Sequence, residues 1–534
     1  MKGNVRFTHA AQWIVRPSLA LTLFLTGCVA LVQHDEQQQR VFDSNAATKV
    51  FAAGYTTMQD KYIEPVTSAT LATAGIAGLT KLDAGVTSQV SNGVVHLSFP
   101  DGATFDAPAP AAQDAQKWAI ITTNAIMAAR THSPMIGERS SEELYQAVFK
   151  SSMTGFDRFS RYLGADAARD ERAKREGYGG IGVLLHFDDD RVVIEDVMPE
   201  MPAARAGVHA GDVIMQIDHT EVAAMEKTEV ADRLRGRVDS KVSLTLKRGN
   251  QAEPITVALN RAHIVNPTVE LAKRGNVALI RISGFNQATS ASVAKALDQS
   301  YKEMGDNLKG IVLDMRDNPG GLLDQAISVS DQFLTSGRIV STKGRHVNSM
   351  QSYDATQQDS SHKLPIVVLV NGRSASAAEI VTAALQDDNR AVVVGSNTYG
   401  KGTVQNLSPL PNSGELVLTW SYYHAPSGYA LHNLGVLPNV CTSGFKGTAE
   451  QVIDQLSPTW SRLPLLMAAW RVSLPSEGPK LESMRENCPR SSEVRDLDIE
   501  VASKLIDDPA LYRRALQTTG STVVAGPMHE PLRP

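Results

Sequence analysis

Apolar residues change their spacing several times along this chain, and each change marks an element or a boundary. From Ala46 to about Leu82 the spacing is helical, broken at Tyr62-Ile63-Glu64-Pro65. Residues 83–111 alternate instead, with Val94-Val95-His96-Leu97-Ser98-Phe99 ahead of Asp101-Gly102, the pattern of a small β-hairpin. Helical spacing returns over Ala112–Arg130 and Ser141–Met153, so 46–176 reads as a helical region with a β insert. Residues 177–261 are a run of short strands, including Arg191–Ile194, Asp212–Ile217 and Val242–Lys247. From Asn276 strands and helices take turns: strand 276–282, helix 290–304, strand 310–315 and helix 322–334. Strand Leu364–Val370, helix Ser376–Gln386, strand Ala391–Val394 and strand Leu416–Tyr423 continue the series, which predicts an α/β layer over 262–445. Residues 446–517 are helical in pattern, notably Val494–Leu516, and 518–534 read as a flexible tail.

Composition sets the outer limits. The 534 residues leave room for three or four domains, and 42% hydrophobic with 20% charged residues is ordinary for a globular protein. A net charge of −5 and the lack of a long basic run argue against a nucleic-acid partner. The first 27 residues carry Lys2, Arg6 and Arg16 without an acid, followed by the short apolar run Pro17–Phe24. That is the form of a secretory signal, too short to span a bilayer as a helix. Leu25-Thr26-Gly27-Cys28 resembles the lipobox of bacterial lipoproteins, which implies cleavage after residue 27, a lipid on Cys28, a tether over 28–45 and a periplasmic, membrane-anchored protein. The mature net charge would then move from −5 to −8. Cys441 and Cys488 would remain, and an oxidising compartment permits a disulfide between them. Cys/His metal spacing is absent, and nothing calls for a cofactor.

The candidate chemistry gathers in Asn371–Gln405, where an apolar strand runs into Asn371-Gly372-Arg373-Ser374-Ala375-Ser376 and a helix. Ser376-Ala377-Ala378-Glu379 fits a capping box, in which the serine only satisfies a helix amide. Gly395-Ser-Asn-Thr-Tyr-Gly400-Lys401 nearly fits a phosphate-binding loop. Gly402 stands where magnesium would need a hydroxyl, and no helix pattern follows. The third reading is hydrolytic, with Ser376 as nucleophile and Lys401 as its base. A lysine can act so only when neutral, which requires lowering a pKa of about 10.4 by burial beside apolar strands such as Val392–Val394. His424 and His432 lie in no motif.

The ordered set of motifs resembles the carboxy-terminal processing proteases (tail-specific proteases). It comprises Asp314-Met-Arg-Asp-Asn-Pro-Gly320-Gly321, then S-A-S-A-A-E-I, then G-K-G-T-V-Q, and covers roughly 150–445. Residues 177–261 resemble a PDZ domain over about eighty residues, with Gly180-Ile181-Gly182 as the loop whose amides would take a peptide carboxylate. The resemblance implies a multidomain α/β protein with a crotonase-like protease domain and a helical C-terminal extension. It implies a Ser376/Lys401 dyad, Gln405 orienting the lysine, and an oxyanion hole from Gly320 or Gly321 with Ala377. Substrates would be proteins or peptides with accessible C-termini; an adaptor protein and self-association are left open. The rival from another class is a non-catalytic PDZ scaffold on an inactive protease fold. Ala378 and the segment Leu234–Lys241 depart from the family's usual pattern.

Overall fold

The computed structural model describes residues 42–518 apart from 189–190, 357–358 and 475. The expected signal segment, Cys28, most of the tether and nearly all of the tail lie outside the described residues. The chain forms two compact units, one made of residues up to Gln59 with Pro65–Gly164 and Ser408–Leu416, the other of Asp60–Glu64, Ala165–Leu407 and Val417 onward.

In the first unit, helices Ser44–Lys61, Ser68–Ala77, Ala115–His132 and Ser141–Ser152 bury Phe51, Tyr55, Trp118 and Phe149. Ser140 and Glu143 close a reciprocal cap at the last of these helices, which fixes its start. The β insert has three antiparallel strands, Thr87–Ser91, Val94–Ser98 and Thr104–Pro108, rather than a two-stranded hairpin. The first carries too few apolar residues for its alternation to show in the sequence.

In the second unit, residues 178–264 form a small antiparallel domain. Its core is built on Val192, Ile194, Ile214, Ile217, Val242, Leu244 and Leu246, and helix Lys227–Leu234 packs into it through Val230 and Leu234. The larger domain holds strands β1 Val269–Arg274, β2 Val277–Ile282, β3 Gly310–Asp314, β4 Arg338–Gly344 and β5 Gln351–Asp354. After these come β6 Ile366–Val370, β7 Val392–Gly395, β8 Thr403–Pro409, β9 Glu415–His424 and β10 Val440–Cys441. Its main sheet runs β1-β2-β3-β6-β7-β10, parallel from β2 onward with antiparallel β1 at the edge. Strands buried on both faces read as unbroken apolar runs, as Ile366–Val370 does. A second sheet, β5-β4-β9-β8, joins the expected strand β9 to β4, β5 and β8, which the apolar pattern does not predict.

Helices α1 Thr289–Met304, α2 Leu323–Asp331 and α3 Ala377–Asp387 connect the parallel strands. The C-terminal helices are α4 Ala449–Asp454, α5 Leu456–Arg471, α6 Gly478–Arg485, α7 Asp496–Asp507 and α8 Pro509–Gln517. The single helix expected over Val494–Leu516 is broken at Asp508, whose carboxylate caps Ala510 and Leu511, with Pro509 opening α8. These helices share the core of the sheet: Trp460, Trp470, Val501, Leu505 and Ile506 are all buried in one cluster with β3, β6 and β7. Burial contributes roughly 1.5–3 kcal/mol for each such side chain. Arg316 adds a buried ion triad, bonding Asp314 at 2.8 and 2.7 Å and Asp498 of α7 at 3.1 Å.

Candidate active site

Parallel strands place their following turns along one edge of the sheet, so the turns after β3 and β6 meet. The turn after β6 is closed by its own polar groups. Asn371 N–H donates to Ser374 Oγ (2.9 Å), and that hydroxyl donates to the Met315 carbonyl (2.8 Å). Ala375 N–H donates to the Asn318 carbonyl (2.9 Å). Ser374 is thus committed twice to backbone. Ser376 is different: it sits at φ 55° and ψ −117°, is 6% exposed, and immediately precedes α3. A non-glycine residue there stores roughly 1–3 kcal/mol and keeps the conformation only where its surroundings enforce it.

Glu379 supplies much of that enforcement. Its carboxylate is fully buried and accepts the Ser376 N–H and the Lys401 N–H on one oxygen, each at 2.9 Å. The other oxygen accepts the Gly400 N–H and the Thr398 hydroxyl. One oxygen therefore holds the backbones of Ser376 and Lys401 within two hydrogen-bond lengths of each other. Burial pushes the Glu379 carboxyl above its ordinary value, against the pull of its four donors. The S-x-x-E signature is a helix cap here, and the same carboxylate also organises the Gly400–Lys401 turn. Sequence spacing could reveal only the first task, because the other partners lie 21 and 22 positions away.

Tyr423 on β9 links the same two turns from another side. Its phenol, pushed up by burial, lies beside the Ser376 side chain, and its N–H donates to the Gly402 carbonyl at 2.8 Å. No motif singled it out. Lys401 itself is half-buried. On β8, Gln405 donates its side-chain amide to Thr403 Oγ1 (2.8 Å) and Thr419 Oγ1 (3.3 Å), which turns its carbonyl oxygen into the remaining acceptor. His424 Nδ1 lies 3.3 Å from the Tyr422 carbonyl, and His432 packs on the Tyr422 ring.

The glycine turn after β3 approaches Ser376 closely. Gly320 has φ 99°, and a Cβ there would lie 2.7 Å from Ser376 Cβ and 2.9 Å from Ala377 N, so only glycine fits. The Gly320 N–H donates to Asn318 Oδ1 (2.8 Å). Among the described residues, the N–H groups of Gly321 and Ala377 take no acceptor, the latter as an unpaired amide of a helix start.

In the small domain, Gly180 pairs with Ala262 in a two-stranded ladder. The carbonyls of Ile181 and Gly182 accept from Ala203 and Met198 (both 2.9 Å), while their own amides take no acceptor among the described residues. Cys441 and Cys488 form a disulfide with Cα atoms 5.8 Å apart. Among the described residues, no group of His, Cys, Asp and Glu could hold a metal ion, and no helix is long and apolar enough to cross a membrane.

A strained, buried serine at a strand-to-helix turn, with unpaired amides beside it, is the arrangement of a serine hydrolase. Comparison with known proteins narrows that class. The model of peptidase family S41 matches residues 276–442, and that of the PDZ domain matches 179–259. A carboxy-terminal-processing protease of Bartonella bacilliformis is 38% identical over 301 residues, covering 56% of this chain and 69% of that one. A probable CtpA-like serine protease of Staphylococcus aureus is 33% identical, covering 57% of this chain and 61% of that one. The solved photosystem II D1 C-terminal processing protease aligns at 28% identity over 60% of this chain and 86% of that one, with a TM-score of 0.35. The chain belongs to peptidase family S41, the carboxy-terminal processing serine proteases, and carries a PDZ domain.

Proposed function

We propose that this protein is a periplasmic, lipid-anchored serine endopeptidase that cleaves protein substrates near their C-termini. Ser376 Oγ attacks the scissile carbonyl carbon as its proton passes to the neutral amine of Lys401. The resulting oxyanion is met by the amides of Gly321 and Ala377, since the Gly320 amide is already bonded to Asn318. The leaving amine takes the proton from Lys401 and departs, and water attacks the acyl-enzyme through the same base to release an acid and restore Ser376. Gln405 orients the lysine through its carbonyl oxygen without adding a negative charge that would raise its pKa. The PDZ domain takes the substrate's terminal carboxylate on the amides of Ile181 and Gly182.

The observation that carries this reading is the shared Glu379 oxygen, which holds the Ser376 and Lys401 backbones together although the two lie on separate turns. The test is hydrolysis of an unfolded protein with a free apolar C-terminus by the purified mature chain. Ser376→Ala and Lys401→Ala should each abolish cutting, and Ser374→Ala should keep most of it. Peptide-tail binding without turnover would instead favour a PDZ scaffold. Anchoring is tested by metabolic labelling with a lipid precursor, which Cys28→Ala should prevent.

A further inference from the structure

Between α6 and α7 the chain runs across both turns of the site. Gly372 N–H donates to the Ser491 carbonyl (2.7 Å), and Arg373 Nη2 donates to the Ser492 carbonyl (2.9 Å), so the Ser376 turn is held from one side. Ser396 Oγ donates to the same Ser491 carbonyl at 3.2 Å. Arg485 Nη2 donates to the carbonyls of Thr398 (2.8 Å) and Tyr399 (3.1 Å). Arg490 also donates to both, through Nε to Thr398 (3.0 Å) and through Nη2 to Tyr399. Two guanidinium groups thus grip the two residues just before Gly400-Lys401. Tyr399 N–H in turn donates to the Ser374 carbonyl (3.0 Å), so the gripped segment bears directly on the Ser376 turn.

The same stretch is fastened covalently. Cys488 lies between the two arginines and is bonded to Cys441, which pairs with Gly395 at the end of β7, the strand that launches the Lys401 turn. At its far end the stretch is fixed by Arg495, which donates to the Phe445 carbonyl (2.7 Å), and by the buried Arg316–Asp498 pair. A carbonyl in a turn has many alternative partners in water, and two fixed cationic donors remove that choice.

We propose that residues 485–495 are a strap that sets how the Ser376 and Lys401 turns face one another. Arg485 and Arg490 are its positioning residues, and the Cys441–Cys488 disulfide is its fastening, which makes the site sensitive to thiol reduction. The assignment rests on the Ser376/Lys401 reading for its catalytic consequence, though not for its structural one.

The test compares the oxidised full mature chain with Arg485→Ala/Arg490→Ala and with Cys441→Ser/Cys488→Ser, by hydrogen exchange and by turnover. Exchange over 372–376 and 396–402 should rise about tenfold or more in both variants, while strands 366–370 and 392–395 keep their protection. Turnover should fall about 10- to 100-fold with KM changed less than about twofold, the mark of misplacement rather than lost binding. Arg485→Lys/Arg490→Lys, which keeps the charge, should recover part of both. Unchanged exchange in the two turns overturns the strap whatever the activity. Loops and strands opening together also overturn it, since the segment would then serve only global stability. If either double variant fails to fold, the other and the lysine pair still decide. A wild-type chain without Ser376-dependent hydrolysis would sink the proposed function, and the exchange data would still judge the strap.

Discussion

Each of the two domains in the second unit buries a carboxylate that closes a turn, and the two keep opposite company. In the PDZ domain, Asp212 is held by Arg248 through two bonds of 2.7 Å and by the His209 amide at 2.9 Å. That guanidinium, itself partly open to water, holds the aspartate below its ordinary value. In the protease domain, the donors to Glu379 are three backbone amides and a hydroxyl, all neutral, and burial pushes its carboxyl up. The aspartate closes the Gly207–Asp212 turn, not the Ile181–Gly182 segment whose amides are proposed to take a peptide carboxylate. The glutamate joins the turns of Ser376 and Lys401, the two residues proposed to react. A binding loop made of main chain tolerates side-chain change nearby, whereas a site assembled from two turns depends on the group that joins them.

The sharpest way to break this contrast is at the groups proposed to react. Ser376→Ala or Lys401→Ala should lower kcat by about 10⁴-fold or more. Ser374→Ala, which removes a bond between the turns after β6 and β3, should cost about 1–2 kcal/mol of stability and little turnover. A Lys401→Ala enzyme working at the wild-type rate would end the dyad.

Next come the two carboxylates. Glu379→Gln keeps the shape but turns a donor toward the Ser376 and Lys401 amides or the Gly400 amide. It should cost about 2–4 kcal/mol in urea unfolding and about 100-fold in turnover. Asp212→Asn should cost about 1–3 kcal/mol and leave kcat alone. Equal losses of turnover in both variants would erase the distinction drawn here.

Substrate tails should show a smaller effect. Amidating the terminal carboxylate should raise KM about tenfold, or about 1.4 kcal/mol, with kcat retained. A fall in kcat instead would place the tail's role at the protease site.

The pH dependence is smallest and most diagnostic, because the two carboxylates should act with opposite signs. Glu379 binds its proton more readily when folded. Its contribution is therefore complete below its ordinary 4.5 and is lost as pH rises through the native value. Asp212 gives up its proton more readily when folded, so its contribution is present above 3.8 and is lost as pH falls through the native value. Urea midpoints of wild type minus each variant, taken across pH, should slope in opposite senses. Slopes of one sign would refute the comparison.

Much of this protein was legible locally. The apolar runs of β3, β6 and β7, the break at Tyr62–Pro65 and the cap at Ser376–Glu379 all obey rules that reach only a few residues along the chain. Strands β4, β5 and β8 escaped, because their polar positions become strand only when a neighbouring sheet edge supplies partners. Tyr423 escaped for a related reason, as its place beside Ser376 and its bond to Gly402 depend on where β9 lies. The pairing of Cys441 with Cys488 was chemically permitted but geometrically open; in the chain-entropy account it contributes about 4 kcal/mol across its 47-residue separation.

What the residues alone determined was the list of parts: a serine after an apolar strand, a lysine between glycines, a glycine pair, and a small strand-rich domain with a glycine loop. Only the folded chain decided which of them share a single carboxylate oxygen and which are gripped from the C-terminal side. The reason is one of reach. Local preference couples positions three or four apart, whereas the hydrogen bonds that join these turns exist only once parallel strands have lined up their carboxyl edges.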